Sequence, residues 1–471
     1  MRYDEFLEQK FITARETGFE VRTDQIHPLL FDWQNEIVRW ACRIGKAALF
    51  EECGLGKTLQ QIEWARLVMD HLTTKGAACT SALIIAPLAV AHQTVNEGRK
   101  IGVTVRYIRH QDEVDRAGIY ITNYDMLKEF DGSQWGAVVL DESSILKAFT
   151  GATKRMILEM FEHTPFKLAC TATPAPNDHL ELGNHAQFLN VMQSNEMIQR
   201  WFINDSMTAG AYRLKFHAEL DFWRWVTTWA ACISKPSDLG YKDNGFNLPA
   251  LNVESVVVSV DHTRAFAQGA LFITESLSAT GMWKEKHATM ADRCDKAGEL
   301  IDGSDEAWII WCDTNEEADY LKGLFPQAVE VRGSDTIKAK EEKLTAFTDG
   351  DAQFIITKPD IAGFGLNWQH CHNQAFVGVT YSFEKTYQAL RRSWRFGQSH
   401  PVNAYLIYAE SEGNILKTLQ AKQEAHRQMQ TSMNRAMKLQ GLGQKRDLRA
   451  VQDYHANISI TIPNWLRSYY D

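Results

Sequence analysis

What this chain lacks excludes several classes of protein before any motif is read. Its eight cysteines are scattered through 471 residues without a C-x-x-C pair, so neither a zinc ribbon nor a disulfide framework is indicated. No apolar run approaches the ~20 residues that a membrane-spanning helix needs. The opening segment, MRYDEFLEQK, carries acidic residues and no apolar stretch, so it does not read as a signal peptide. These absences lead to the expectation of a soluble, cytoplasmic protein with no membrane partner. Positive charge is not in excess either, since the formal net charge is −9. That balance argues against a generally sticky basic protein, while leaving local phosphate-binding patches open. Low-complexity tracts are missing, as are repeats with a period of roughly 20–50 residues. The run His370-Cys371-His372 looks locally like a set of ligands. Alternate residues of a strand face opposite ways, however, which favours packing over metal binding.

What is present points to two large α/β units. The hydrophobic share of 45% is ordinary for a globular chain, and the length suits about two to three domains of ~150 residues. Short apolar runs alternate with longer helical patterns. AALF (47–50), LIIA (83–86), IYIT (119–122), AVVL (137–140) and LACT (168–171) form one series. WIIW (308–311), AVEV (328–331), FIIT (354–357), AFVGV (375–379) and AYLIY (404–408) form a second. Strands apolar on both faces, with helices between them, indicate parallel sheets covered on each side. The expected fold class is α/β, with two parallel-sheet lobes. Between the lobes, residues 190–245 are rich in aromatics and show no strand-like run. Phe222, Trp225 and Trp229 fall at helical spacing there, which predicts a helical insertion packed by its own apolar face. Residues 235–249 are dense in turn formers and read as a linker. The expected division is an N-terminal segment (1–27), lobe 1 (28–190), insertion and linker (191–247), lobe 2 (248–425) and a basic tail (426–471). Basic residues cluster from Ala421 to Ala450, which fits either a solvated helix face or a phosphate-contacting surface.

The chemistry of lobe 1 begins at LFEECGLGKT, residues 49–58. A strand precedes this loop and a helical pattern follows it. Around Gly54, Leu55 and Gly56 the backbone can curl so that its N–H groups face phosphate oxygens, and the following helix presents its positive end to the same anion. Lys57 is expected to reach the β- and γ-phosphates of ATP, and Thr58 to ligate Mg²⁺. The strict G-x-x-x-x-G-K-T form fails, because Glu51 holds the first glycine position. VVLDESS (138–144) supplies a strand that ends in two carboxylates. Asp141 is expected on the metal side, and Glu142 beside the attacking water.

In these motifs the chain resembles a superfamily 2 helicase, and within it the Swi/Snf-like branch of DNA-translocating ATPases, whose lobes are RecA-like. LFEECGLGKT is similar to that branch's L-A-D-E-M-G-L-G-K-T, and FDWQ to the segment whose glutamine, here Gln34, reads adenine. IIAP (84–87), ITNY (121–124) and TATPAPN (171–177) match further motifs in order. In lobe 2, VRGS (331–334), TKPDIAGFGLN (357–367) and QALRRSWRFGQ (388–398) do the same. The resemblance covers roughly residues 28–425. It implies that Gly365 approaches the nucleotide, and that Pro87, Asn123, Tyr124, Gly333, Ser334 and Thr357 meet nucleic acid. Arg392 and Arg395 take the places of two arginines that neutralise charge on the γ-phosphate. Three departures stand out. Ser144 replaces a histidine after D-E-x, Arg391 an acid, and Trp394 another histidine. The compact length resembles stand-alone versions found in bacteriophages and prophages.

The resulting expectation is an ATP- and Mg²⁺-dependent motor on nucleic acid, with duplex DNA as the preferred track. The alternatives are a strand-separating or RNA-directed helicase, and an ATP-switched subunit of a larger restriction, modification or replication complex with partner proteins.

Overall fold

The computed structural model describes residues 12–147, 151–204, 212–259, 286–362 and 367–440. Lobe 1 is built on β1 (Lys46–Glu51), β2 (Ala82–Ala86), β3 (Val105–Tyr107), β4 (Ile119–Asn123), β5 (Ala137–Asp141) and β6 (Phe166–Cys170). A small antiparallel hairpin, β7 (Phe202–Asn204) with β8 (Tyr212–Leu214), comes next. β9 (Ala230–Ile233) then returns to close the sheet, giving the order β3-β4-β2-β5-β6-β1-β9 with every pairing parallel. All residues of β2, β4, β5 and β6 are buried, as expected of strands covered by helices on both faces.

Lobe 2 repeats the plan with β10 (Leu251–Val258), β11 (Trp308–Trp311), β12 (Val329–Glu330), β13 (Phe354–Thr357), β14 (Asn373–Phe376) and β15 (Val402–Ala409). Its order is β10-β15-β14-β11-β13-β12, again all parallel. The two-lobed α/β architecture is thus the one the strand runs imply.

Five helices matter for the site: α1 (Asp32–Ile44), α2 (Lys57–Thr74), α3 (Glu219–Val226), α4 (Phe383–Leu390) and α5 (Gly413–Leu439). Phe222, Trp225 and Trp229 are buried to 1% exposure or less, and Trp225 stacks on Trp201 at 4.6 Å. These aromatics are core. The segment containing them is more than a helical insertion, however. Its Ala230–Ile233 run pairs with β1 through Ala48↔Ala230 to Glu51↔Ile233, so lobe 1 extends to β9. Four residues, small or apolar and next to an aromatic helix, carry too little period-2 signal to be read as a strand.

The second difference concerns the basic tail. Residues 426–439 continue α5, a helix shared by two cores. Ile415, Leu416 and Leu419 pack into lobe 2, and Met429, Met433, Ala436 and Met437 into lobe 1. The i, i+4 spacing of the methionines places them on one face, while Arg427, Arg435 and Lys438 are exposed on the others. Lys445, Arg446 and Arg449 lie outside the described residues. No helix among the described residues is long and apolar enough to cross a membrane.

A candidate nucleotide cleft between the lobes

In open parallel sheets, ligands gather at the carboxyl ends of the strands. β1, β5 and β6 are neighbours whose ends are in register, with Leu49↔Cys170 and Asp141↔Cys170. This pairing brings the loop after β1 and the carboxylates that end β5 to one rim. Gly54 and Gly56 have φ of 90° and 77°, the left-handed region that side chains rarely adopt. A Cβ on Gly56 would sit 2.6 Å from Gln34 Nε2. One on Gly54 would press on lobe 2 at the Phe396 nitrogen, 3.2 Å away. Gln34 is buried. Its Nε2 donates to Leu55 O at 2.8 Å, and its Oε1 accepts from Phe31 N at 2.9 Å, so the glutamine is fixed directly against the loop.

Lys57 Nζ donates to Glu51 O at 2.7 Å and to Glu52 O at 3.1 Å. α2 starts at Lys57, so its first N–H groups and dipole face the same space. Glu51, at the missing glycine position, is fully buried and accepts from Gln60 Nε2 at 2.8 Å. Burial pushes its carboxyl up to about 7, against the opposing pull of Lys57 and Gln60. Asp141 Oδ1 accepts from Gln61 Nε2 at 2.7 Å. Glu142 carries a φ of 54°, a strained backbone for a residue with a side chain, of the kind found at functional sites. Its Oε2 accepts from Thr171 Oγ1 at 3.4 Å and from Gln388 Nε2 of α4 at 3.3 Å. Desolvation and then the Asp141 charge hold the Glu142 carboxyl above the usual carboxylate range.

One cavity of about 180 Å³ collects these groups. Gly54, Gly56, Lys57, Thr58, Asp141 and Glu142 line it from lobe 1, and Arg392 and Arg395 from lobe 2. Burial and then the Arg392 charge lower the pKa of Arg395 to about 10, the mark of a positive region that an anion would relieve. Leu55 is buried behind the loop. Arg391 turns elsewhere. Its guanidinium donates to Cys53 O, lies 3.5 Å from Glu52 Oε2 and sits 4.9 Å over the Trp394 ring. The acid-to-arginine and histidine-to-tryptophan departures therefore fit each other.

The residues expected to meet nucleic acid are more dispersed. Gly333 and Ser334 are exposed and Pro87 is half-buried at the start of a helix. Asn123 is buried, and Thr357, with 1% exposure, donates to Val331 O at 3.4 Å. Tyr124 commits its hydroxyl to Asp141 O at 2.6 Å, so it buttresses the cleft strand. Gly365 lies outside the described residues. Reasoning from sequence did not single out Gln61, Gln93 and Asn367, of which the last two line the cavity. Gln61 could have been found, since it lies one turn beyond Lys57 on the same helix. Asn367 ends the TKPDIAGFGLN motif and was within reach, while Gln93 follows only from the folded arrangement.

Two family descriptions match the chain, the SNF2-related domain over residues 28–220 and the helicase conserved C-terminal domain over residues 292–397. Together these matches support a Swi/Snf-like helicase of superfamily 2. It is 27% identical over 183 residues to the chromatin-remodeling ATPase INO80 of Cryptococcus neoformans, a stretch covering 33% of this chain and 10% of that protein. It is 24% identical over 220 residues to the ATP-dependent helicase brm of Drosophila melanogaster, covering 42% of this chain and 13% of that one. The matched stretch is thus about a tenth of these relatives' length. Among solved structures, S. cerevisiae Dbp5 bound to RNA and ADP BeF3 shares the fold, with a TM-score of 0.51 and 13% identity over 82% of this chain and 89% of that one. The Sulfolobus solfataricus SWI2/SNF2 ATPase core in complex with dsDNA aligns with a TM-score of 0.40 and 17% identity, over 89% and 97% of the two chains.

Proposed function

We propose that the protein is an ATP-hydrolysing motor that moves along nucleic acid, with duplex DNA as its track. The observation that carries this reading is the single cavity walled by Lys57 and Glu142 from one lobe and by Arg392 and Arg395 from the other. Its wall is completed only when the lobes meet. Lys57 and the loop N–H groups bind the β- and γ-phosphates. Glu142 orients the attacking water and accepts its proton, a role suited to a carboxyl held above its usual range. Arg392 and Arg395 offset charge on the γ-phosphoryl oxygens, a contribution of roughly 10³–10⁵ in rate where arginine fingers act. Asp141 and Thr58 line the same cavity with hard oxygen donors, the few-ligand arrangement that suits Mg²⁺. When bound there, Mg²⁺ supplies charge neutralisation at the phosphate oxygens.

The relatives named as a chromatin-remodeling ATPase and an ATP-dependent helicase support this reading. Contacts to the track are expected mainly at phosphates, and so to be sequence-independent and salt-sensitive. The test is ATP turnover alone, then with duplex DNA, single-stranded DNA or structured RNA, beside Lys57→Ala. Stimulation by duplex DNA that vanishes in the variant is the expected result. Stimulation by single strands or RNA alone would overturn the choice of track. No turnover under any condition would overturn the motor.

A further inference from the structure

α4 brings two side chains of lobe 2 against lobe 1, four residues apart and so on one helical face. Gln388 reaches Glu142 at 3.3 Å. One turn earlier Glu384, 6% exposed, places Oε1 3.4 Å from Thr173 Oγ1 and pairs Oε2 with the Lys147 ammonium. Both lobe 1 partners belong to the segments that hold Glu142. Lys147 ends the short turn that starts right after Glu142. Its carbonyl accepts from Asn184 Nδ2 at 3.3 Å, and that of Leu146 accepts from the same amide at 2.8 Å. Thr173 donates its N–H to Thr171 Oγ1 at 3.1 Å, and that hydroxyl in turn donates to Glu142. The turn's own hydroxyl at Ser143 faces His185 at 3.1 Å. Among the described bonds, the one that joins the turn after Glu142 to the Thr171–Thr173 segment runs through Glu384.

We propose that Glu384 is a positioning residue for ATP hydrolysis, making the placement of Glu142 depend on lobe closure. The carboxylate does not touch the reacting atoms. It fixes both segments that flank Glu142, and it does so only while lobe 2 is docked. α4 thereby ties the geometry of the cleft to the separation of the lobes, the coupling a motor needs between chemistry and movement.

The inference rests on the ATPase reading, so its test has an arm that needs no turnover. In the full chain, Glu384→Ala should speed amide exchange in residues 141–147 and 171–173. With saturating duplex DNA it should lower kcat about tenfold, as expected for losing one buried charged contact in the transition state, with KM for ATP unchanged within about twofold. Glu384→Gln, which keeps an acceptor for Thr173, should fall between. The charge exchange Lys147→Glu with Glu384→Lys should regain most of the loss. Unchanged exchange at both segments would overturn the proposal, as would a kcat loss matched by a rise in KM, or a charge exchange no better than either single change. If the wild-type chain hydrolyses no ATP, the motor reading fails, and amide exchange still decides whether Glu384 orders the two segments.

Discussion

Glu52 and Glu142 follow β1 and β5, the two strands on either side of β6, and both meet α4, yet their surroundings oppose each other. Around Glu52 the polar partners favour the anion. Burial works against its charge, but Arg391, then His426 and then Tyr387, bring the carboxyl down to about 2. Gln430 donates to it as well. Tyr387 comes from α4 of lobe 2 and Arg391 from the residue that caps it, while His426 and Gln430 come from α5, the helix that re-enters the lobe 1 core. Among the described residues Glu142 receives two neutral donors, at 3.3 and 3.4 Å, and its carboxyl is held above the usual range. The difference separates fastening from reactivity. One side of the interface is pinned by a satisfied buried charge, and the other is left with a strained, basic carboxylate whose contacts can change.

The contrast breaks most sharply at Glu142. Glu142→Gln removes the proposed proton acceptor while leaving the shape, so kcat should fall by about 10²–10⁴. ATP binding and the unfolding midpoint should stay near wild type, which titration calorimetry and denaturant curves would check. Glu52→Ala should do the reverse. Arg391 and His426 are 6% exposed, and stripping the carboxylate from a buried pair costs about 3–5 kcal/mol. Adding Arg391→Met should recover much of that stability, because an apolar pair no longer needs the charge.

The same contrast can be sharpened with pH. The folded-state pKa of Glu52, about 2, lies below its ordinary 4.5. Its stabilisation is therefore complete above about pH 4.5 and is lost as pH falls toward 2, a change of roughly 3 kcal/mol at 1.36 kcal/mol per unit. Glu51 runs the other way. Its folded value of about 7 exceeds the ordinary 4.5, so it favours the folded state in acid and this advantage fades as pH rises from about 4.5 to 7. Unfolding curves for Glu52→Gln should lose the acid dependence and keep the second trend.

These two carboxylates also show what was legible in the sequence. The motif at 49–58 stood out because its glycines, Lys57 and Thr58 fall in one short run between strand and helix. Fold class followed from apolar runs that are buried on both faces. The Glu52 cluster was invisible by comparison. Its partners Tyr387, Arg391, His426 and Gln430 lie more than 300 residues away, in or just after two helices, and no local pattern states which helix a buried carboxylate will meet. Arg391 was visible only as a departure from a motif, and its cause, Glu52 and the Trp394 ring, appeared with the fold. β9 was missed for a related reason: it is a strand by virtue of β1 beside it, not by its own four residues.

α5 offers the finest division of the same interface, between adjacent residues. His426 is buried, 3.6 Å from Glu52, with its ring 5.6 Å from Phe383 and 5.8 Å from Tyr387. Arg427 points into solvent and pairs with Glu424 at 2.9 Å, three residues earlier on the helix. An exposed pair of this kind gains little in water and loses side-chain freedom in forming. Arg427→Gln should therefore leave the unfolding midpoint where it is at moderate salt. His426→Leu keeps the volume roughly but gives Glu52 one fewer polar neighbour, so its midpoint should fall measurably, though by less than Glu52→Ala. If the two substitutions proved equally silent, α5 would be a neighbour of the Glu52 cluster without being one of its fasteners.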